Sequence, residues 1–93
     1  AVLIAHLLKW QYQPTHRGVS WERTIKDQRK MVQKRVKQTP SLKASLLDTE
    51  WIDDAWTDAT IQASKETGIE LIKFPEVCPW TMEQVLDDEF FPD

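Results

Sequence analysis

The chain has 93 residues, of which 41% are hydrophobic and 29% are charged, and its formal net charge is −3. This length allows one domain with a modest core, and the composition excludes a disordered chain. The slight negative charge excludes a strong overall attraction to nucleic acid or to an anionic membrane surface.

Cys78 is the only cysteine, so the chain cannot form an internal disulfide or a site of several thiolates. A reducing compartment, the cytoplasm, is therefore expected. The opening run AVLIAHLLKW is shorter than the roughly 20 apolar residues that span a bilayer. It also lacks the basic start and the cleavage site of a secretory signal, so it predicts a core helix and no membrane partner.

The first predicted helix covers about residues 1–13 and ends before Pro14, since proline disfavours helix at the preceding residue. Its apolar side chains lie on almost every side, and a helix of that kind must be covered from more than one direction. It also begins without a methionine or a capping residue. We therefore expect a fragment that lacks an N-terminal helical segment. The residues expected to meet a partner are Val2, Leu3, Leu7 and Trp10.

A second helix is predicted from residue 20 to about residue 38, with Ser20 as its N-cap. Its apolar stripe is narrow and its basic face is broad. Thr39 and Pro40 start a further turn, since threonine caps helices and proline suits their first position. That turn carries Leu42, Leu46 and Leu47, and a break is expected near Asp48.

The third long helix is predicted over residues 49–68, with its apolar side chains on one face and its acidic side chains on the other. Trp51 and Trp56 are expected to pack against the first two helices, and the acidic face is expected to complement the basic face of the second helix. Gly68 suits the left-handed position that ends a helix, with Ile69 folding back onto Ala63.

A connector over residues 71–79 is expected to pack along the domain. Thr81 and Gln84 then form a capping box, and Trp80 and Val85 occupy the positions of a hydrophobic staple. These signals predict a short helix from residue 82 to about residue 89. The final residues are expected to dock through Phe90 and Phe91.

Four blocks of the sequence resemble a bacterial family known as domain of unknown function 29. They are HLLKWQYQP at 6–14, SWERTIKDQR at 20–29, ETGI at 66–69 and FPEVCPWTMEQVLDDEF at 74–90. The resemblance implies an all-helical fold and no established activity. It also implies a helical segment ahead of the HLLKW block, which agrees with the expected fragment.

The basic helix is the first candidate for chemistry. Residues 22–37 carry seven basic side chains against two acidic ones, and basic side chains on one helix face can neutralise phosphates. The nucleic-acid contacts would be Arg23, Lys26, Arg29, Lys30 and Lys34. No aromatic residue lies among them to stack on bases, so we favour a face that is solvated or complemented by acidic residues.

The carboxylates of the third helix are the second candidate. Glu50, Asp53, Asp54 and Asp58 lie within one or two turns of each other, and helical carboxylates at such spacing can hold a divalent ion when another helix adds ligands. His6 or His16 could contribute, but the sequence has no Glu-x-x-His pair. A metal-dependent hydrolase that uses Asp54 and Asp58 is thus an alternative, and a solvated face is favoured.

The remaining reactive or aromatic residues are expected to be structural. Cys78 is expected to be a small buried hydrophobe, His6 a core or interface histidine, and His16 an exposed loop residue. The large aromatic residues are expected in the core: Trp10, Tyr12, Trp21, Trp51, Trp56 and Trp80.

We therefore predict an all-α domain, a small helical bundle of three main helices plus a short C-terminal helix. The expected function is a protein-interaction or self-association module without enzyme activity or cofactor. Its partner would be the missing N-terminal segment, a second copy in a homodimer, or another protein. Nucleic-acid binding and metal-dependent hydrolysis are the alternatives.

Overall fold

The computed structural model describes residues 2–92, which form five α-helices and two 3₁₀ turns and contain no strand. The helices are α1 (Val2–Tyr12), α2 (Val19–Gln38), α3 (Leu42–Ser45), α4 (Thr49–Thr67) and α5 (Met82–Leu86), and the 3₁₀ turns are Pro14–His16 and Leu71–Lys73. The predicted all-α class, with three long helices and a short C-terminal one, is confirmed. Ala1, which was assigned to the first helix, lies outside the described residues.

The core is built around α1, which packs against α4 on one side and against α2 on another. Five of its apolar residues are buried, namely Leu3, Ile4, Ala5, Leu7 and Leu8. The chain itself supplies the cover that this helix needs, so the expectation of a largely uncovered first helix is wrong. In residues 2–92 no helix combines the length and the apolar character needed to cross a bilayer.

A buried lysine ties α1 to both of its neighbours. The Lys9 ammonium donates a hydrogen bond to Glu66 of α4 at 3.2 Å and lies 5.5 Å from the ring centroid of Trp21 in α2. A positive charge is stabilised by a carboxylate and by the face of an aromatic ring. Lys9 can therefore lie in the core without an unpaired charge.

The C-terminal segment folds back across α1 and α2. The buried guanidinium of Arg29 donates hydrogen bonds to the carbonyls of Val85 at 2.8 Å, Asp88 at 3.4 Å and Phe90 at 2.5 Å. Phe91 then packs on Trp10, with 4.9 Å between the ring centroids. The expected docking of the tail is confirmed, and Arg29 is the residue that holds it.

Two predicted helix ends differ from the structure. α2 starts at Val19, because Gly18 is extended and its carbonyl accepts the Glu22 N–H at 3.0 Å, so Ser20 lies inside the helix and is not its cap. α5 ends at Leu86 instead of about residue 89. Asp87 is extended at ψ 120°, and side chains of α2 take the carbonyls around it, including Gln33 on Leu86.

The break expected near Asp48 is confirmed, and Asp48 itself is the N-cap of α4. Its carboxylate accepts the N–H groups of Glu50 at 2.9 Å and Trp51 at 3.4 Å. At the other end Gly68 is left-handed with φ 76°, as predicted. The Thr67 hydroxyl donates to Ala63 O and accepts the Ile69 N–H, so it links the two residues that the predicted cap would join.

We expect Asp48→Ala to lower the free energy of unfolding by about 1 kcal/mol, because two N–H groups at the start of α4 lose their acceptor. Ser41→Ala is the matched control, since Ser41 precedes α3 but makes no capping hydrogen bond. Denaturant unfolding followed by circular dichroism measures both variants. Equal losses in the two variants would contradict the assigned cap.

Candidate interaction surface

The four residues predicted to meet a partner lie in different environments. Leu3 and Leu7 are buried within the chain, so they are not available to a partner and their assignment is corrected. The reason is that α4 and α2 enclose α1 from two sides. Trp10 is half-buried between Phe91 and the guanidinium of Arg17. Val2 alone is exposed, at the first turn of α1.

The predicted nucleic-acid contacts separate into an exposed group and one buried residue. Arg23, Lys26, Lys30 and Lys34 are exposed along α2. Arg29 has no exposed surface, because its guanidinium faces the C-terminal carbonyls. It cannot reach a phosphate in the folded chain, so its assignment as a contact is corrected.

The acidic face of α4 does not complement the basic face of α2. The elements that pack against α2 are α1, α3 and α5. Within residues 2–92 the only ion pair of α2 joins Lys26 to Glu22 of the same helix, at 3.1 Å. The expected complementation is wrong because α1 lies between the two charged helices.

The four carboxylates of α4 that were considered as metal ligands, Glu50, Asp53, Asp54 and Asp58, are all exposed. Across residues 2–92 no three side chains of the types His, Cys, Asp or Glu come together as a metal site would require. His6 is half-buried and its Nδ1 lies 2.9 Å from the Val2 carbonyl oxygen, while His16 is exposed, as predicted, beside Trp21. The structure therefore does not assemble the ligand set that the hydrolase alternative needs.

Two titratable groups are perturbed by their surroundings. Burial raises the pKa of the half-buried Cys78 thiol, which donates a hydrogen bond to Trp80 O, so the reactive thiolate is disfavoured. Burial also acts to raise the pKa of Glu66, but hydrogen bonds from Gln62 and Lys9 and the Lys9 charge lower it overall. Ionised Glu66 therefore stabilises the fold at pH values above its ordinary pKa. This contribution is lost as the pH falls through the lowered pKa of the folded state.

A different apolar surface surrounds α3, and we call it the α3 surface. Leu47 is 75% exposed, Trp51 42% and Leu42 38%. These three join half-buried neighbours from α2, the end of α3 and α5: Val36, Leu46 and Leu86. The exposure of Trp51 corrects its predicted place in the core. Contiguous exposed apolar surface of this kind marks a binding site or a liability for aggregation.

Two recesses give the α3 surface its shape. One of about 320 Å³ lies between α3 and α5 and is lined by Leu46, Leu47, Leu86 and the aliphatic part of Lys43, among others. The second, of about 230 Å³, opens between α2, α3 and the first turn of α4, with Arg35 and Trp51 among its lining residues. Val36 and Leu46 line both recesses, so they lie at the centre of the surface.

Comparison with known protein families identifies the family of this chain. Residues 1–91 match the family described as "Domain of unknown function DUF29". The chain belongs to this family. The resemblance seen in the HLLKW and PWTMEQVLDD blocks is thereby confirmed. No curated protein and no solved structure matches the DUF29 chain.

The α3 surface of the DUF29 chain was not predicted, although one sequence signal points to it. Pro40 and Asp48 bound a segment of only a few residues, and that segment carries Leu42, Leu46 and Leu47. A helix of one turn has too little length to turn three leucines toward one core. The sequence therefore showed that this segment holds more leucines than one helical turn can bury. Which of them stay exposed depends on the tertiary structure.

We expect Arg29→Ala to destabilise the DUF29 chain by about 3 kcal/mol, because it leaves buried C-terminal carbonyls without a donor. Arg23→Ala removes the same side chain from an exposed site of α2 and should change stability by less than about 0.5 kcal/mol. Denaturant unfolding measures the difference. Similar values for the two variants would contradict the role of Arg29 in holding the C-terminal segment.

Proposed function

We propose that this DUF29 chain is a protein-interaction module that binds a polypeptide through the α3 surface. The observation that carries the proposal is the exposure of Leu47, Trp51 and Leu42 beside two recesses that an apolar side chain could enter. Burying one such side chain contributes about 1.5–3 kcal/mol. A partner that covers all three therefore gains enough to offset part of the cost of association.

The position of these residues favours a docking surface over scattered exposure. Leu71, Ile72 and Val77 are exposed as well, but they lie on the connector and line none of the recesses around α3. Single exposed apolar residues are common on protein surfaces, whereas contiguous ones beside a recess are typical of binding sites. The α3 surface is of the second kind.

Three kinds of polypeptide fit this proposal, namely a further segment of the same polypeptide, a second copy and another protein. An amphipathic helix is a suitable form for any of them, because its apolar stripe can fill a groove of this shape. We place the module in the cytoplasm, where the free thiol of Cys78 would stay reduced. The proposed role is binding, and it requires no catalytic group or cofactor.

Leu47→Asp tests this proposal. Self-association is measured by sedimentation velocity, and peptide binding by the anisotropy of labelled amphipathic helices of about 18 residues, long enough for five turns. We expect the wild type to associate with itself or with a peptide. We expect Leu47→Asp to weaken that association at least about tenfold, because the buried leucine is worth more than 1.4 kcal/mol.

Ile72→Asp is the control for that experiment. It makes the same change at a residue that is 85% exposed and lines none of the recesses around α3. Its association should equal that of the wild type. Absence of both self-association and peptide binding in the wild type would overturn the proposal.

Nucleic-acid binding is a second candidate function, favoured by the basic stripe of α2. Arg23, Lys26, Lys30 and Lys34 are exposed at spacings of three and four residues, so they form one line about 16 Å long. Of these four residues, only Lys26 forms an ion pair with a carboxylate within residues 2–92. Against this candidate, the stripe has no aromatic residue between its charges and the chain is acidic overall.

The second candidate predicts binding to duplex or single-stranded DNA that weakens with salt. The logarithm of the affinity should fall by about 0.9 for each neutralised phosphate per tenfold rise in salt on a duplex. Charge reversal by Lys30→Glu together with Lys34→Glu should abolish binding, whereas Lys65→Glu together with Lys73→Glu should not. No binding at low salt would exclude this function.

A further inference from the structure

Residues 87–92, which we call the latch, are held to the rest of the domain by side chains. Within residues 2–92 no backbone–backbone hydrogen bond joins the latch to α1 or α2. Its carbonyls accept from side chains, those of Asp88 and Phe90 from Arg29 and that of Pro92 from Arg17. The N–H groups that form hydrogen bonds donate to acceptors in residues 84–87, and they belong to Asp87, Glu89 and Phe90. The latch therefore forms its own turn and docks as one unit.

The side chains that hold the latch also hold α5. Arg29 donates to Val85 O at 2.8 Å as well as to the latch. Gln33 donates to Leu86 O at 3.0 Å and to a carboxylate oxygen of Asp88 at 3.4 Å. α5 has only five residues, and an isolated helix of that length is not stable in water. The position of α5 therefore depends on the docked latch as well as on its own buried side chains.

α5 is in turn a wall of the α3 surface. The recess of about 320 Å³ lies between α3 and α5, and α5 contributes Met82, Glu83 and Leu86 to its lining. A smaller apolar cavity of about 50 Å³ is lined by Met82 and Leu86 of α5 and by Leu3 and Ile4 of α1, among others. Side chains that face a cavity lose contacts on that side. The packing of α5 on α1 is thus incomplete, and its contacts with α2 help to fix its position.

The contacts of the latch and the recess are neighbours on α2. Arg29 and Gln33 bind the latch and the end of α5, and Val36 follows Gln33 by three residues and lines both recesses. Residues three or four apart are adjacent on a helix. No residue of the latch lines a recess around α3. Any effect of the latch on the α3 surface must therefore pass through α5 and α2.

We propose that the latch regulates binding at the α3 surface through α5. With the latch docked, α5 forms the wall of the recess and the surface binds its polypeptide. With the latch released, α5 moves and the recess loses that wall. This inference rests on the proposed function, because it names the regulation of that same site. A ligand that needs the wall binds the docked state more tightly, so ligand binding and latch docking favour each other.

Hydrogen exchange followed by NMR tests this coupling in the unsubstituted chain. The probe is the tightest-binding amphipathic peptide of the anisotropy experiment, or raised protein concentration where the chain associates with itself. At ten times its Kd, the peptide should slow exchange of the Asp87 and Phe90 amides about tenfold, because it stabilises the docked state. The Phe74 amide donates to Leu71 O in the second 3₁₀ turn and should keep its rate. Equal slowing at all three amides would show global stabilisation and contradict a local latch.

Phe91→Ala combined with Gln33→Ala tests the coupling from the other direction. The double variant loosens the latch but keeps Arg29, and neither substituted residue lines a recess around α3. The apparent affinity falls in proportion to the fraction of chains with a docked latch. We expect peptide binding or self-association to weaken at least about fivefold, the lower end of typical coupling between sites. Fluorescence anisotropy and sedimentation velocity measure the change.

Phe74→Ala combined with Gln38→Ala is the matched control. It makes the same two changes away from the latch, since Phe74 packs on Tyr12 and Gln38 is exposed at the end of α2. Its binding should equal that of the wild type. Circular dichroism and denaturant unfolding check that each variant is folded. Phe91→Leu and Phe74→Leu repeat the comparison with a smaller loss of volume if an alanine variant unfolds.

The outcomes separate this inference from the function on which it rests. A wild type that binds neither itself nor a peptide would overturn both. Binding by the wild type that leaves exchange in the latch unchanged would overturn the coupling and keep the interaction module. The same holds if the latch variant binds as tightly as the wild type. Tighter binding by the latch variant would show that the latch opposes binding, which also contradicts the inference.

Discussion

The covering of α1 is the constraint on which the rest of the structure depends. This helix is apolar on most of its circumference, and α4 and α2 enclose it from two sides. The C-terminal segment covers a further part, since Phe91 packs on Trp10 and Phe74 packs edge-on against Tyr12 at 5.0 Å. Because α1 occupies the space between α2 and α4, the outer faces of those helices remain in water with opposite charges.

The return of the C-terminal segment explains why an arginine lies in the core. A buried cation needs donors satisfied on every side, and Arg29 meets this need with backbone carbonyls in place of a paired carboxylate. Burial lowers the pKa of Arg29, and the nearby charges of Asp88 and Asp87 act in the opposite direction. The guanidinium thus serves as a cap for the end of α5, which therefore ends after little more than one turn.

Local signals in the sequence predicted local structure well. The Thr81 and Gln84 capping box, the left-handed Gly68 and the break at Asp48 each depend on residues within a few positions, and each is confirmed. Burial depended on distant residues and was predicted less well. Arg29 resembled its exposed neighbours in sequence because its acceptors lie 56 to 61 residues further along the chain. Leu3 and Leu7 were predicted to meet a partner for the same reason, because the helices that cover them are also distant in sequence.

The same reasoning explains why we assign the proposed binding function to the α3 surface and not to the first helix. Most apolar side chains of α1 are buried in the folded chain, so they form the core and leave little apolar surface for a partner. The apolar excess of α3 remains after folding, because one helical turn between Pro40 and Asp48 cannot direct Leu42, Leu46 and Leu47 into one core. Leu47 and Trp51 stay exposed, and their exposure costs the free energy that burial would return. An interaction that covers them recovers that free energy.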